Sequence, residues 1–469
     1  MNESDICYLS AVELRRCFKS GELSPVEVAE ATLRRIEAID PKLNAYVTVT
    51  AERALAQARA AEAEYASGDP VPSLAGIPGS LKDLTVTKGI RTTRGSLLSA
   101  DWVPDFDAPL ARRLHQAGMV LLGKTNTPEL GWKGDSGNRV VGPTHNPWRY
   151  GRTPGGSSGG AAAAVVAGLG PLSQGTDGAG SIRIPAGFSG AFGFKPTWGS
   201  VPQHPASVVQ TLSHAGPITR SVGDAVLMLA AMAGADPLDR SSMTPETVSL
   251  ADLEGGIAGL RVAWSPDLGY AAVDPAVVDV AAAAARRFEE LGCTVVEAHP
   301  EAADPWRLVH VMWSTAFAAY FRDDFDTVRD DLTPGLAAVI DEGLTFTGTD
   351  VAQAYIERSQ YYESWRVLFD AYDIMLTPTL PCTAFAAGDD HPGAIAGHKT
   401  TYLGWTAFTY PMNVTGLPAA SVPCGFVEGL PVGLQIVGGF RQDRTVLRAA
   451  RAFEELAPWA QHRPSMEDF

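Results

Sequence analysis

Residues 152–197 read RTPGGSSGGAAAAVVAGLGPLSQGTDGAGSIRIPAGFSGAFGFKPT, and this stretch decides how the rest of the chain is read. Two short polar clusters, 155–160 and 175–181, stand on either side of a segment apolar enough to be buried. Glycine permits backbone conformations that other residues resist, and lets another atom come close to the main chain. Two such clusters flanking a buried element point to a site built largely from backbone. Residues 159–169 read as an alanine-rich buried helix and 171–176 as a short strand. After the turn Gly178–Ala179–Gly180, a further helix is expected to start at Ser181.

Upstream, Ser24, Pro25 and Glu27 supply an N-cap, a first-turn proline and a capping-box glutamate. Val26, Ala29, Leu33 and Ile36 recur at helical spacing, so 24–39 is expected to be a helix with one buried face. A second helix is expected over 51–66 and a third over 108–117, followed by a short strand at 119–122. Helix then strand at this spacing suggests an α/β unit. The turn-rich segment from Pro128 to Pro154 is long for a structureless connection, which hints at function. Downstream, Ser221 with Asp224 caps a helix running to about Ala233. Asp274–Pro275 opens a long helix that ends at Gly292, before a strand over 293–297. Residues 376–378 and 432–437 read as further strands. This alternation, without internal repeat or linker, implies one α/β domain over residues 1–469, a mixed sheet covered by helices.

Hydrophobic residues make up 45% of the chain and charged residues 19%, which is ample for a core. The formal charge of −16 disfavours nucleic acid as a partner, because phosphate binding needs a basic footprint. The five cysteines are scattered, without a CxxC pair, which fits a reducing compartment and neither a disulfide framework nor a zinc site. The start, MNESDICYLSAVELRR, lacks the basic run and apolar core of a secretory signal. No window reaches about 18 uninterrupted apolar residues. A cytoplasmic location without membrane attachment is therefore expected.

Four runs carry a family resemblance: GIPGSLKD at 76–83, GGSSGG at 155–160, GTDGAGSIRIPA at 175–186 and GFKPT at 193–197. FTYPMN at 408–413, GLPA at 416–419 and GLPVGLQ at 429–435 extend it. Together they resemble the amidase signature enzymes, serine hydrolases that cleave amides with a Ser–cis-Ser–Lys triad. The resemblance implies a single large domain around a twisted mixed sheet, with helices on both sides. N-terminal helices would occupy 1–70, the signature core 71–230, a variable substrate-side region 235–400, and a return to the core 401–469. It implies Ser181 as nucleophile, Ser157 as bridging serine after a cis Gly156–Ser157 bond, and Lys82 as base. A serine hydroxyl is a weak nucleophile until a base takes its proton. Lysine ordinarily titrates near pH 10.4, so this role demands a depressed pKa and predicts an alkaline activity optimum. The backbone N–H groups of Gly178, Ala179, Gly180 and Ser181 are the expected oxyanion donors, helped by the positive end of a helix starting there. Ser158, Thr176, Asp177 and Arg183 are expected around the triad, the last two as a buried pair steadying the loop. Asn126 and Glu129 would support it from further out.

Trp132, Trp313, Tyr320, Phe321 and Trp405 are candidates for an apolar substrate pocket. No cofactor or metal is expected. The expected partner is a small-molecule amide, with ester or carbamate as the alternative bond; a homodimer is left open. A Ser–His–Asp enzyme using His145, His204 or His214 competes, although Ser181 does not sit in a GxSxG elbow. A phosphate loop lacks its Gly–Lys–Ser/Thr, and zinc hydrolysis lacks HExxH. An amidase-like binding protein is disfavoured by the presence of Lys82, Ser157 and Ser181 together. Ala179 departs from the glycine usual in the family, and Ser189 from the frequent cysteine. Ile184 stands where the tRNA-amidotransferase branch usually has glutamine, which argues against glutamine as substrate. The segment Gly131–Asp135, with Arg152–Pro154, resembles the branch acting on aryl amides and nylon-type oligomers.

Overall fold

A computed structural model describes residues 2–466. Eleven strands form one sheet: β1 (Tyr46–Val49), β2 (Pro78–Lys82), β3 (Val120–Thr125), β4 (Leu172–Asp177), β5 (Phe192–Lys195), β6 (His214–Thr219), β7 (Arg261–Trp264), β8 (Thr294–Glu297), β9 (Ile374–Pro378), β10 (Ala419–Val427) and β11 (Leu430–Gly438). Their order across the sheet is β1-β3-β2-β4-β6-β5-β10-β11-β9-β7-β8. β3, β2 and β4 run parallel, as do β9, β7 and β8, while the strands between them pair antiparallel. The sheet is therefore mixed, as expected.

Side chains alternate across a strand, so successive residues reach opposite faces. In β9, Ile374 and Leu376 join the core that holds Leu434, Ile436, Leu447 and Phe453, whereas Met375 joins the core that holds Val437, Trp313 and Tyr410. Both faces are thus covered, and helices cover them. The capping box predicted at Ser24 and Glu27 opens the helix Pro25–Leu43, four residues longer than the apolar spacing suggested. Ser221 caps Val222–Met232 through the Asp224 N–H. The helix Gly159–Val166 is buried along its whole length. Ala161, Ala162, Val165 and Val166 pack on Ile182 and Ala186. Ala163 and Ala164 face Ala29, Ile36 and Leu122. An apolar surface all round is what a fully enclosed helix requires.

The sheet register places the site. β2 and β4 are adjacent and parallel, with Leu81 opposite Gln174. Their carboxyl ends therefore bring Lys82 beside Thr176 and Asp177. Of the described helices, none is long and apolar enough to cross a membrane. The region 235–400, which carries no recognisable motif, supplies β7, β8 and β9 and the helices Trp306–Tyr320, Pro334–Gly343 and Gly348–Ala371.

Candidate active site

Lys82, at the end of β2, is fully buried, and its Nζ lies 2.7 Å from Ser157 Oγ. The same nitrogen donates to Thr176 Oγ1 at 3.0 Å. Thr176 is fixed in turn by Ser158, whose hydroxyl accepts from the Thr176 N–H and donates to its carbonyl, both at 3.2 Å. The Gly156–Ser157 peptide bond is cis. The chain passes so close to Asp135 there that a side chain on Gly156 would meet the Asp135 carbonyl oxygen at 2.5 Å, which only glycine avoids. Burial pushes the Lys82 pKa well below the usual lysine value, and the nearby Asp177 charge opposes this only in part.

Asp177 and Arg183 form the buried pair expected from the sequence. Burial alone would raise the Asp177 carboxyl; Arg183, Lys195 and Asn413 reverse this and hold it well below the usual carboxylate range. Its oxygens accept from Arg183 Nη2 at 2.8 Å and Nε at 3.0 Å. The other side of the guanidinium donates to Gln435 and to the Thr409 carbonyl, each at 2.8 Å, and Nη2 also donates to Asn413 at 2.7 Å. Asn413 and Gln435 belong to the closing runs quoted above, yet nothing in their spacing revealed that they meet Arg183 across more than 200 residues.

The Asp177 carboxylate also shapes the turn beyond it. It accepts from the backbone N–H groups of Gly180 (2.8 Å) and Ile182 (3.1 Å), and more distantly Arg183 (3.4 Å). Two expectations are corrected as a result. The helix begins at Arg183, not Ser181, and its first N–H groups face Asp177. Gly180, with φ of +131°, likewise points its N–H at Asp177 and is not an oxyanion donor. The N–H groups of Gly178, Ala179 and Ser181 have no partner among the described residues, so three of the four expected donors remain free. Arg183→Met would strand the Asp177 charge in the interior. The expected result is a loss of roughly 3–5 kcal/mol in urea unfolding at neutral pH. Because the folded carboxyl titrates below the unfolded one, the pair's contribution is complete above about pH 4 and is lost as pH falls through the folded value.

Ser181 is 6% exposed, and its hydroxyl makes no hydrogen bond among the described residues; its carbonyl accepts from the Ser158 N–H at 3.2 Å. It lines a small cavity with Ala179, Ile184, Trp132, Trp313 and Trp405. Three of the five predicted aromatics therefore stand beside Ser181. Tyr402 was missed; its hydroxyl accepts from Trp313 Nε1 at 2.8 Å. A larger cavity of about 300 Å³ opens on the other side, at Thr176, and Tyr320 lines it. Phe321 is a core residue, packed with the helix Trp306–Tyr320, and lines neither cavity. Asn126 is buried and donates to Gly142 and Thr144, while Glu129 accepts from Ser96 and from the Thr333 N–H, so both brace loops around the site.

None of the three histidines reaches Ser181. His145 stacks on Tyr150, His204 lines the larger cavity, and His214 is buried with Nδ1 2.9 Å from the Leu212 carbonyl. Burial drives the His214 pKa well below its usual value. Among the described residues, no group of three His, Cys, Asp or Glu side chains is placed to hold a metal ion.

The family model for amidases matches residues 27–447. This chain belongs to the amidase signature family. It is 41% identical to an acylamidase of Rhodococcus erythropolis, over 99% of both chains. It is also 37% identical to a glutamyl-tRNA(Gln) amidotransferase subunit from Moorella thermoacetica, over 98% of this chain and 99% of that one. Among solved structures, a bacterial aryl acylamidase of the amidase signature family superposes with a TM-score of 0.89 at 32% identity, covering 97% of each chain. As a family member, the chain is a hydrolase of carbon–nitrogen bonds.

Proposed function

We propose that this amidase cleaves linear or aryl amides through an acyl-enzyme on Ser181. The observation that carries the reading is the buried Lys82 amine at hydrogen-bond distance from Ser157, with its pKa depressed by burial. Burial favours the neutral form of such an amine, which suits it to accept a proton. As Ser181 Oγ attacks the carbonyl carbon, its proton passes to Ser157 Oγ, and the Ser157 proton passes to Lys82 Nζ. The oxyanion that forms is met by the free N–H groups of the turn, chiefly Ala179 and Ser181. The C–N bond then breaks while the proton returns through Ser157 to the departing amine. Water repeats the relay on the ester and releases the acid. Among the described residues Ser181 makes no hydrogen bond to Ser157, and catalytic hydrogen bonds of this kind can close only in the reacting complex.

The walls favour an apolar acyl group. Ile184 and three tryptophans line the cavity at Ser181, together with Tyr402, Thr406 and Lys133, whose ammonium is paired with Asp135 and Asp390. This also supports an apolar amide over glutamine as substrate, because Ile184 offers an apolar surface where glutamine would need polar partners. The same chemistry serves esters and carbamates. A shared acyl-enzyme makes a direct prediction. With hydroxylamine competing against water, a butyryl anilide and the matching butyryl ester should yield the same ratio of hydroxamate to acid. Different ratios from the two substrates would exclude a common intermediate.

A further inference from the structure

The larger cavity has a feature that catalysis by Lys82, Ser157 and Ser181 does not use. Its wall includes the side chains of Arg94 and His204 and no aspartate or glutamate, in a chain whose formal charge is −16. The Arg94 guanidinium lies over the Trp102 ring, 4.6 Å from its centre, and donates a long hydrogen bond of 3.4 Å to Tyr320 Oη. It makes no ion pair among the described residues. Asp83, whose backbone carbonyl accepts from the Arg94 N–H, has its carboxylate held by Lys124 at 3.8 Å and by the Thr93 N–H at 2.9 Å. Gln203 adds a second donor: its Oε1 accepts from Ser213 Oγ at 2.8 Å, which leaves its amide N–H₂ for a ligand. Leu84, Val86 and Leu130 add an apolar lining, and Leu84 comes up to Gly131 beside Ser157.

The side of the triad on which this cavity lies identifies the part of the substrate it takes. It meets the site at Thr176, which hydrogen-bonds Lys82, and at Leu84 and Leu130, next to Gly131 and Ser157. In the mechanism proposed above, that is the proton-relay side, where the departing amine would receive its proton, and the small cavity at Ser181 and Ala179 would take the acyl group. We infer that the amine portion of the substrate carries a carboxylate, and that Arg94, with Gln203, reads it. The substrate class is then an N-acylated amino acid or aminobenzoate with its acid beyond a short apolar spacer. This rests on the hydrolase reading above. Arg94 is a specificity residue, remote from the reacting atoms. A guanidinium without a competing carboxylate is poised for bidentate binding of one from the ligand.

The test compares N-butyryl-4-aminobenzoate with N-butyryl-4-nitroaniline, planar isosteres of which only the first is charged. The ratio of their kcat/KM values is measured in wild type, Arg94→Met and Arg94→Lys. Comparing ratios between proteins cancels the different leaving-group electronics. The expected result is a ratio about 10- to 100-fold lower in Arg94→Met, carried by KM, with partial recovery in Arg94→Lys. An equal ratio in wild type and Arg94→Met overturns the assignment while leaving the hydrolase reading intact. Calorimetric binding of 4-aminobenzoate, the amine product, needs no turnover. Binding to wild type that Arg94→Met weakens, in a protein that hydrolyses neither anilide, would support the carboxylate site and count against the hydrolase reading. Equal binding to both proteins would overturn the site.

Discussion

Ser181→Ala should abolish hydrolysis of every anilide the wild-type protein cleaves, with a fall in kcat of roughly 10⁴-fold or more. The size follows from what is removed. Without Ser181 Oγ no acyl-enzyme forms, and only oxyanion stabilisation and substrate binding are left. The Ala179 and Ser181 N–H groups belong to the backbone, so the donors survive the substitution, and KM should change far less than kcat. Folding should be preserved, because the Ser181 hydroxyl makes no hydrogen bond that alanine would lose. The nitroaniline released per enzyme per minute, beside a thermal melt of both proteins, reads this directly. Comparable turnover by both proteins would remove Ser181 from the mechanism.

Lys82 gives the second large effect, and two substitutions separate its possible roles. Lys82→Ala and Lys82→Arg should both lose on the order of 10⁴-fold in kcat/KM. Arginine retains the positive charge and much of the reach, but does not give up its proton in a protein and so cannot accept one from Ser157. A positioning lysine would be partly replaced by arginine; a base would not. The pH dependence follows with a definite sign. Activity needs the neutral amine, so log kcat/KM should rise with pH and level off once Lys82 is deprotonated. Burial places that rise well below the pH at which a free lysine titrates. The alkaline optimum expected from the sequence thereby becomes an ascending limb below the ordinary lysine range. Stability should move with it. Between the folded and unfolded pKa values the unfolded chain holds the extra proton, so raising pH through that window stabilises the fold. A log kcat/KM that shows no rise with pH anywhere below the ordinary lysine range would contradict Lys82 as the titrating base.

The Asp177–Arg183 pair bears on this second effect. A carboxylate near Lys82 favours the ammonium form and would oppose the base role proposed for it. Arg183 neutralises Asp177, and Asn413 shares the load on the carboxylate. Burial then dominates at Lys82. Asp177 also ties up the N–H groups of Gly180 and Ile182, which fixes the turn and leaves those of Gly178, Ala179 and Ser181 without a partner among the described residues.

The parts of the site readable from the sequence were those written in short, dense runs. Lys82, Ser157 and Ser181 stand in such runs, as do Asp177 and Arg183. The helix starts at Ser24 and Ser221 were readable because capping is a local hydrogen bond between residues three apart. A box of the same form, Thr347 with Asp350, opens the helix Gly348–Ala371. Strands were harder. β5 and β6 are short and buried on both faces, so neither shows period-two alternation. β6 contains Gly216 and Pro217, and β10 contains Pro423 and Gly425, where its pairing with β11 slips register. Proline and glycine read as turns until a bulge explains them. The true start of the helix after Ser181 was hidden because the Asp177 side chain folds forward over the turn. Arg94 was unreadable for a different reason: its meaning comes from Tyr320, Trp102 and Gln203, which only the folded chain brings near it. Phe321, expected in the pocket as one of five aromatics, follows the last residue of the helix Trp306–Tyr320 and turns into the core.

The most direct test of the central claim is to find the acyl group on the protein. Wild-type enzyme is mixed with the 4-nitrophenyl ester of butyric acid, quenched in acid within the first turnovers, digested and mapped by mass spectrometry. Ser157 and Ser181 lie in one tryptic peptide, residues 153–183, so the adduct must be localised by fragmentation. The account predicts one butyryl group on Ser181. A butyryl group on Ser157, with Ser181 unmodified, would contradict it and exchange the roles of the two serines.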